Sequence, residues 1–542
     1  MKLKKTTKVK NLLSKVAVDL GSKKFSIFVF AFFVVESVWI AFSAQYPQAF
    51  DENYHFGLIQ TYSHYWLPFL SKQPPHANAY GAVAVDTSYF YHYLMSFPYR
   101  IIEHIFHGQV GQVISLRLID VALFTIGLVM FRRLMLRVGL SRSLTNVSLL
   151  VFILIPIVPQ LAAQVSYDDL FIPMTAWACL KAFDVIDDLK AKKFSSKRLI
   201  EFLIVCFFAS IVKFAFLPIF IALALFLIFY AYRHNKRHIK SLFESYWKDF
   251  KGLKLITRLL LCVLLVISVG LVFQRDGLDI INYHSIEPNC SKVLSVKQCS
   301  DYSPWEYNYI NHNEVLSGNN VASDGVLSYT NSWFYWMWYR LFFSINGITP
   351  AGSFMNDPPL PLPAIAALVV FVFGIYALFR SRRRIVGHNP YLLILLTVCV
   401  VYALVLYLQG YSTYKYTDVL ENMNGRYLLP ILLPIAALIG MSISAVLSKK
   451  SWTKSVLAVL VLFMFFEGGG VISFIDRSDT NWYWNNSTVI EVNNTAHNIA
   501  KHVVVTRPQI HTRKITYLRF LQLVGCNALV SPLRERFQAV IY

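Results

Sequence analysis

The feature that most constrains this chain is a series of apolar runs, several of them near 20 residues, separated by polar links. A helix rises 1.5 Å per residue, so a run of about 20 crosses a hydrocarbon core of roughly 30 Å. Spans read this way fall at 25–45, 112–131, 144–162, 170–185, 199–212, 213–232, 257–274, 361–380, 391–409, 427–447 and 455–475. The expected fold class is all-α: a polytopic membrane protein with about eleven transmembrane helices. Composition agrees, because only 15% of the 542 residues are charged, where a soluble domain averages about 25%.

Residues 199–232 decide the orientation of everything downstream. As one helix they would measure about 51 Å, too long for a single crossing. Lys213 and Pro218 interrupt the run, which reads as two spans meeting at Lys213. The charges then segregate. Segments 1–24, 132–143, 182–198, 233–258, 380–384 and 449–454 hold 32 Lys and Arg against 6 Asp and Glu, and the rest of the chain holds 19 against 24. This is the positive-inside pattern, which places those segments and the N-terminus in the cytoplasm. It accounts for the net charge of +21 without a nucleic-acid partner. The first apolar run has spanning length and follows a long basic region, as in an uncleaved first span. The expected location is the plasma membrane, with many passes.

The outer face then comprises 46–111, 163–169, 275–360 and 410–426. Residues 1–475 form the transmembrane domain, and 476–542 a tail outside the cytoplasm, of unassigned fold. The large first loop includes YFYHYLMSFPYRIIEHIF, which mixes aromatics and charge like a helix lying in the interface. Cys290 and Cys299 fall on the outer, oxidising side, where a disulfide between them can persist. No CxxC or His-rich zinc spacing occurs.

Ionisable residues collect on the same face. AFDENYHFG (49–57) supplies Asp51, Glu52 and His55; AQVSYDD supplies Asp168 and Asp169; Lys213 sits at its hairpin tip; and Arg426 precedes a span. Charges this near hydrocarbon are costly and tend to mark sites. An acid that accepts a proton, beside cations that hold a phosphate, fits group transfer from a lipid phosphate. Each residue also has a structural reading. Asp51 and Glu52 suit the acidic first turn of a helix. Asp168 and Asp169 suit an N-cap. His55 suits a structural hydrogen bond, and Lys213 can snorkel. Within the spans, Arg117 and Asp120 are three apart and can pair on one helix face.

The ordered set resembles the GT-C superfamily of multispanning glycosyltransferases, and within it the DUF2142-type bacterial membrane proteins. The elements carrying the resemblance are DENYHFG, YFYHYLMSFPY, VSYDDL, IVKFAF and NGRYLLP at 424–430, over roughly residues 25–475. Phe50 stands where the family pattern has Pro, and the aromatic segment lacks H-P-P, which leaves His92 unassigned. The resemblance implies transfer of a sugar from a polyprenyl-phosphate donor to a glycan, lipid or protein acceptor at the outer face. It implies Asp51 as catalytic general base, Glu52 as its supporting neighbour and Asp168 as the second acidic position of the catalytic set, orienting acceptor or donor. Arg426 and Lys213 would hold the lipid phosphate, with His55, Tyr427 and Asp169 as further binding residues. No metal or other cofactor is assigned. A flippase of lipid-linked sugars and a polysaccharide polymerase or ligase are the competing readings. A flippase would favour internal repeats and midplane charges.

Overall fold

The computed structural model describes residues 15–192, 195–235, 239–318, 325–342, 344–348, 354–357, 361–385, 389–421, 423–447, 456–462, 475 and 478–503. Its helices are α1 (Lys23–Ser43), α2 (Glu52–Ser63), α3 (Phe90–Ile105), α4 (Gln109–Val138), α5 (Arg142–Ile153), α6 (Ile157–Ala162), α7 (Asp168–Ala191), α8 (Ser196–Val212), α9 (Leu217–Asn235) and α10 (Ile239–Gly252). They continue as α11 (Leu255–Val272), α12 (Leu278–Tyr283), α13 (Cys290–Val293), α14 (Val296–Cys299), α15 (Ser303–Leu316), α16 (Val326–Phe342), α17 (Pro361–Ile385), α18 (Pro390–Thr417), α19 (Leu429–Val446) and α20 (Ser487–Val503). Among the described residues the all-α expectation holds apart from one short antiparallel hairpin, β1 (Ser344–Ile348) with β2 (Phe354–Asp357).

Among the described residues, seven helices are long and apolar enough to cross a membrane: 23–43, 109–138, 214–233, 255–283, 364–383, 390–417 and 425–446. They match seven of the eleven expected spans. The other four differ for separate reasons. The run 144–162 is broken into α5 and α6, because Pro156 and Pro159 cannot continue the ladder of α5. α7 is long but carries seven acids and lysines among its 24 residues. α8 has 17 residues, about 26 Å of rise. Most of 455–475 lies outside the described residues.

The break expected at Lys213 is present. Its backbone is extended, with φ −151° and ψ 122°, and a 3₁₀ turn at Phe214–Phe216 leads into α9. α10, which follows α9, returns to the start of α8, where Asp249 accepts hydrogen bonds from the Ser196 backbone N–H and hydroxyl, both at 2.7 Å. α8 and α9 therefore form a hairpin with Lys213 at its tip. One end of the bundle gathers Arg137 with Asp184 at 2.6 Å and with Asp187, Arg198 with Asp188 at 2.6 Å, and Asn389 donating to the Val138 carbonyl at 2.8 Å. The residues singled out above lie at the other end.

Two further expectations concern the polar loops. Cys290 and Cys299 form a disulfide. The described part of the tail docks on the end of α1. Asn493 accepts from the Trp39 indole at 3.1 Å and donates to Ser43 at 3.1 Å, and Ala44 bridges Tyr483. Residues 504–542 lie outside the described residues.

Candidate functional site

The site begins where α1 ends. Phe50 and Asp51 both adopt left-handed backbone, at φ 68° and 70°. This is an outlier for an aromatic residue and costs on the order of 1–3 kcal/mol per residue. Asp51 precedes α2 but makes no side-chain cap. Its carboxylate instead pairs with Arg426 at 2.8 Å and stays 56% exposed, while the arginine is 10% exposed. Arg426 also donates to the Phe50 carbonyl at 3.1 Å and lies over the Phe50 and Tyr427 rings at 5.0 and 5.1 Å. Its Nε is buried and has no partner among the described residues.

Glu52 points the other way. It is fully buried, and its two oxygens accept from Arg117 Nε and Nη2, both at 2.7 Å. They also accept from the backbone N–H of Gln48 at 2.6 Å and of Val165 at 3.0 Å. The remaining Arg117 donors reach the carbonyls of Ala41 at 3.0 Å and Ala44 at 2.6 Å. The expected Arg117–Asp120 pair is thus not formed. Asp120 accepts from the Tyr91 hydroxyl at 2.8 Å. A bidentate fork matched to a carboxylate explains the choice of Glu52. The adjacent acids DE accordingly have two environments: one exposed carboxylate, and one buried tie between the end of α1, the loop before α7 and α4.

Asp168 opens α7 without capping it. It pairs with Lys213 at 2.5 Å, both side chains being under 10% exposed. The ammonium lies 4.3 Å from the Tyr167 ring centroid and 5.5 Å from that of Tyr427. Tyr427 thus contacts both cations and joins the two ion pairs into one cluster. Asp169 is fully buried, within electrostatic reach of Asp120 and Asp168, and neither oxygen has a hydrogen-bond partner among the described residues.

His55 meets the cluster through Tyr167, with ring centroids 4.4 Å apart. Its Nδ1 is 2.9 Å from His92 Nε2, and the two rings stack at 16°. Burial, then His92, Arg426 and Lys213, hold the His55 pKa well below the ordinary imidazole value. Burial pushes His92 down to about 3. Both imidazoles are therefore neutral at pH 7. The unfolded chain binds their protons near pH 6.5 and the folded chain does not, so stability is complete above pH 6.5 and falls as pH drops toward the folded values. We expect unfolding temperature to decline below pH 6 and His92→Gln to flatten that decline, at up to about 1.4 kcal/mol per pH unit. A thermal-unfolding series from pH 8 to 4 checks this.

The glycine of NGRY has a packing reason. A Cβ on Gly425 would lie 2.6 Å from the Leu341 backbone nitrogen and 2.8 Å from the Met337 carbonyl oxygen. α16 therefore runs directly against the turn that presents Arg426. Gly425→Ala should cost about 1–3 kcal/mol through overpacking and displace the guanidinium. Thermal unfolding checks the first effect. In an Asp51→Cys background Arg426 beside the thiol favours the thiolate, so slower maleimide labelling at position 51 checks the second.

Sequence reasoning brought Asp51, Asp168, Lys213, Arg426, Tyr427 and His55 to one face, and the structure brings all six into one contact network. It did not assign Tyr167, His92, Tyr302 or the Arg117 tie. Tyr302, just after the disulfide, lies tilted against Tyr54 with ring centroids 5.8 Å apart. Tyr167 lies within the VSYDDL element and His92 within the aromatic one, so position alone offered a signal. Among the described residues no group of three or more His, Cys, Asp and Glu is arranged to hold a metal ion.

No protein-family model matches the sequence, and no curated protein matches it. Among solved structures, the chain is similar to the Archaeoglobus fulgidus oligosaccharyltransferase in the apo form, at 12% identity and a TM-score of 0.40, covering 88% of this chain and 60% of that one. It is similar to the same enzyme tethered by a disulfide bond to an acceptor peptide containing the NVT sequon, at 11% identity and a TM-score of 0.38, covering 92% and 57%. It is also similar to that oligosaccharyltransferase in complex with an inhibitory peptide and a dolichol-phosphate, at 12% identity and a TM-score of 0.35, covering 88% and 60%. The chain spans 60% or less of the length of these structures.

Proposed function

We propose that this chain is an integral-membrane glycosyltransferase. It moves a sugar from a polyprenyl-phosphate donor to a hydroxyl or amide acceptor on a glycan, lipid or protein outside the cytoplasmic membrane. The observation that carries this reading is the paired arrangement of an exposed acid on a buried arginine and a buried acid on a buried lysine, linked through Tyr427. The resemblance of the ordered motifs to the GT-C superfamily supports it.

The chemistry follows from the donors present. The acceptor oxygen or nitrogen attacks the anomeric carbon, and the bond from that carbon to the phosphate oxygen breaks. The lipid phosphate leaves with the electron pair, and the acceptor loses a proton. Arg426 offers a free Nε and a planar fork to the departing phosphate, and Lys213 adds a point charge. A phosphate on Arg426 competes with Asp51 for the same guanidinium. Donor binding therefore releases the Asp51 carboxylate to take the acceptor proton. Glu52 holds Asp51 in place rather than touching substrate, and Asp168 orients Lys213. The neutral, buried His55 packs against Tyr167 behind the cluster.

The test is donor cleavage by the full chain in membranes, against a panel of radiolabelled polyprenyl-phosphate sugars. Release of lipid phosphate with transfer of label to an acceptor is expected for at least one donor. Movement of intact donor between leaflets without cleavage would replace this reading by a flippase. Long products would mark a polymerase.

A further inference from the structure

The proposed reaction uses none of the basic segment 233–258, which holds 8 Lys and Arg against 2 Asp and Glu. Its helix α10 belongs to the opposite end of the bundle from Lys213, because Asp249 meets Ser196 at the start of α8. One of its two acids is already engaged, Asp249 being held by Ser196. Leu242 of α10 is buried, while Trp247, Lys248 and Lys251 are exposed, as is Lys254 just beyond. Among the described residues none of these three lysines is ion-paired. Lys251 lies 5.2 Å from the Trp247 ring centroid. Directly after Lys254, α11 opens with Leu255 and Ile256, 58% and 82% exposed.

The order is informative. Free ammonium groups and an indole stand immediately beside naked apolar side chains that begin a spanning helix. Indoles and lysine stems favour the membrane interface, and the charges meet the headgroups there. We propose that the α10 face and the first turn of α11 form a docking surface for anionic phospholipid headgroups of the cytoplasmic leaflet. Charge complementarity selects the anionic headgroup. Leu255 and Ile256 select a bilayer lipid over a soluble polyanion, which would leave them uncovered. A basic segment next to a span gains on the order of fivefold per lysine at an anionic surface, and the gain is screened by salt.

The test uses the full chain in detergent, titrated with phosphatidylglycerol or phosphatidylcholine of identical acyl chains and read by native mass spectrometry. Wild type is expected to prefer phosphatidylglycerol at least tenfold, with the preference shrinking as salt rises. K248Q/K251Q/K254Q should bring the ratio near one. K72Q/K292Q/K297Q, which removes equal charge elsewhere, should leave it unchanged. Equal loss in that control, or no loss in the α10 triple variant with an unchanged unfolding temperature, would overturn the proposal. Displacement of the lipid by equimolar inorganic phosphate or polyglutamate would overturn it in favour of a soluble anion.

Discussion

Asp51→Asn should lower sugar transfer about 100- to 10,000-fold, the range contributed by a positioned general base, while donor binding is retained. The amide keeps the shape and still accepts a hydrogen bond from Arg426 through its oxygen, so the strained Phe50–Asp51 turn has no reason to relax. What it loses is the ability to take a proton. Asp51 is the one acid of the cluster that combines wide exposure with a partner that a phosphate can claim. Arg426→Ala should act differently. It removes the phosphate ligand and leaves Asp51 unpaired, so donor affinity and turnover should both fall. Measuring KM for the donor alongside kcat separates the two. Unchanged transfer by Asp51→Asn in a chain of normal unfolding temperature would remove Asp51 as the base and leave the cluster as a binding site alone.

The sequence carried the position of this cluster better than its internal wiring. Span length and charge asymmetry put Asp51, Asp168, Lys213 and Arg426 at one end because topology depends on sums over many residues. The hairpin at Lys213 was legible for the same reason, since a run of 34 mostly apolar residues exceeds one crossing. Pairing is harder. Whether Arg117 meets Asp120 on its own helix or Glu52 at the start of α2 depends on how α1, α2 and α4 pack, and three-residue spacing favours the wrong partner. The two adjacent acids of DENYHFG looked alike, yet the left-handed turn at Asp51 sends one outward and the other into the core. Pro156 marked the break between α5 and α6 in plain view, but an apolar run of 19 residues outweighed it. His92 lies in an aromatic segment that lacks H-P-P, so its motif gives it no role. Its contact with His55 is a matter of α2 packing on α3, which periodicity does not specify.

The largest stability effect should come from the tie beneath the site. Arg117→Met leaves the Glu52 carboxylate buried without a cation, and breaking a buried pair this way typically costs about 3–5 kcal/mol. Glu52→Gln should cost less, because the Arg117 guanidinium keeps the Ala41 and Ala44 carbonyls and an amide oxygen still accepts from Gln48 or Val165. The double variant removes both charges, so its loss should be smaller than the sum of the two singles, with a coupling of roughly 1–3 kcal/mol. Thermal or denaturant unfolding of all four proteins measures it. Strict additivity would mean that the two residues stabilise the fold independently. Activity supplies the second reading. Glu52 is the next residue after Asp51 and holds the end of α1, so removing its anchor frees the left-handed turn to relax toward ordinary backbone. The double variant should regain part of the stability but not the transfer rate, because the turn that positions the Asp51 carboxylate is then no longer fixed.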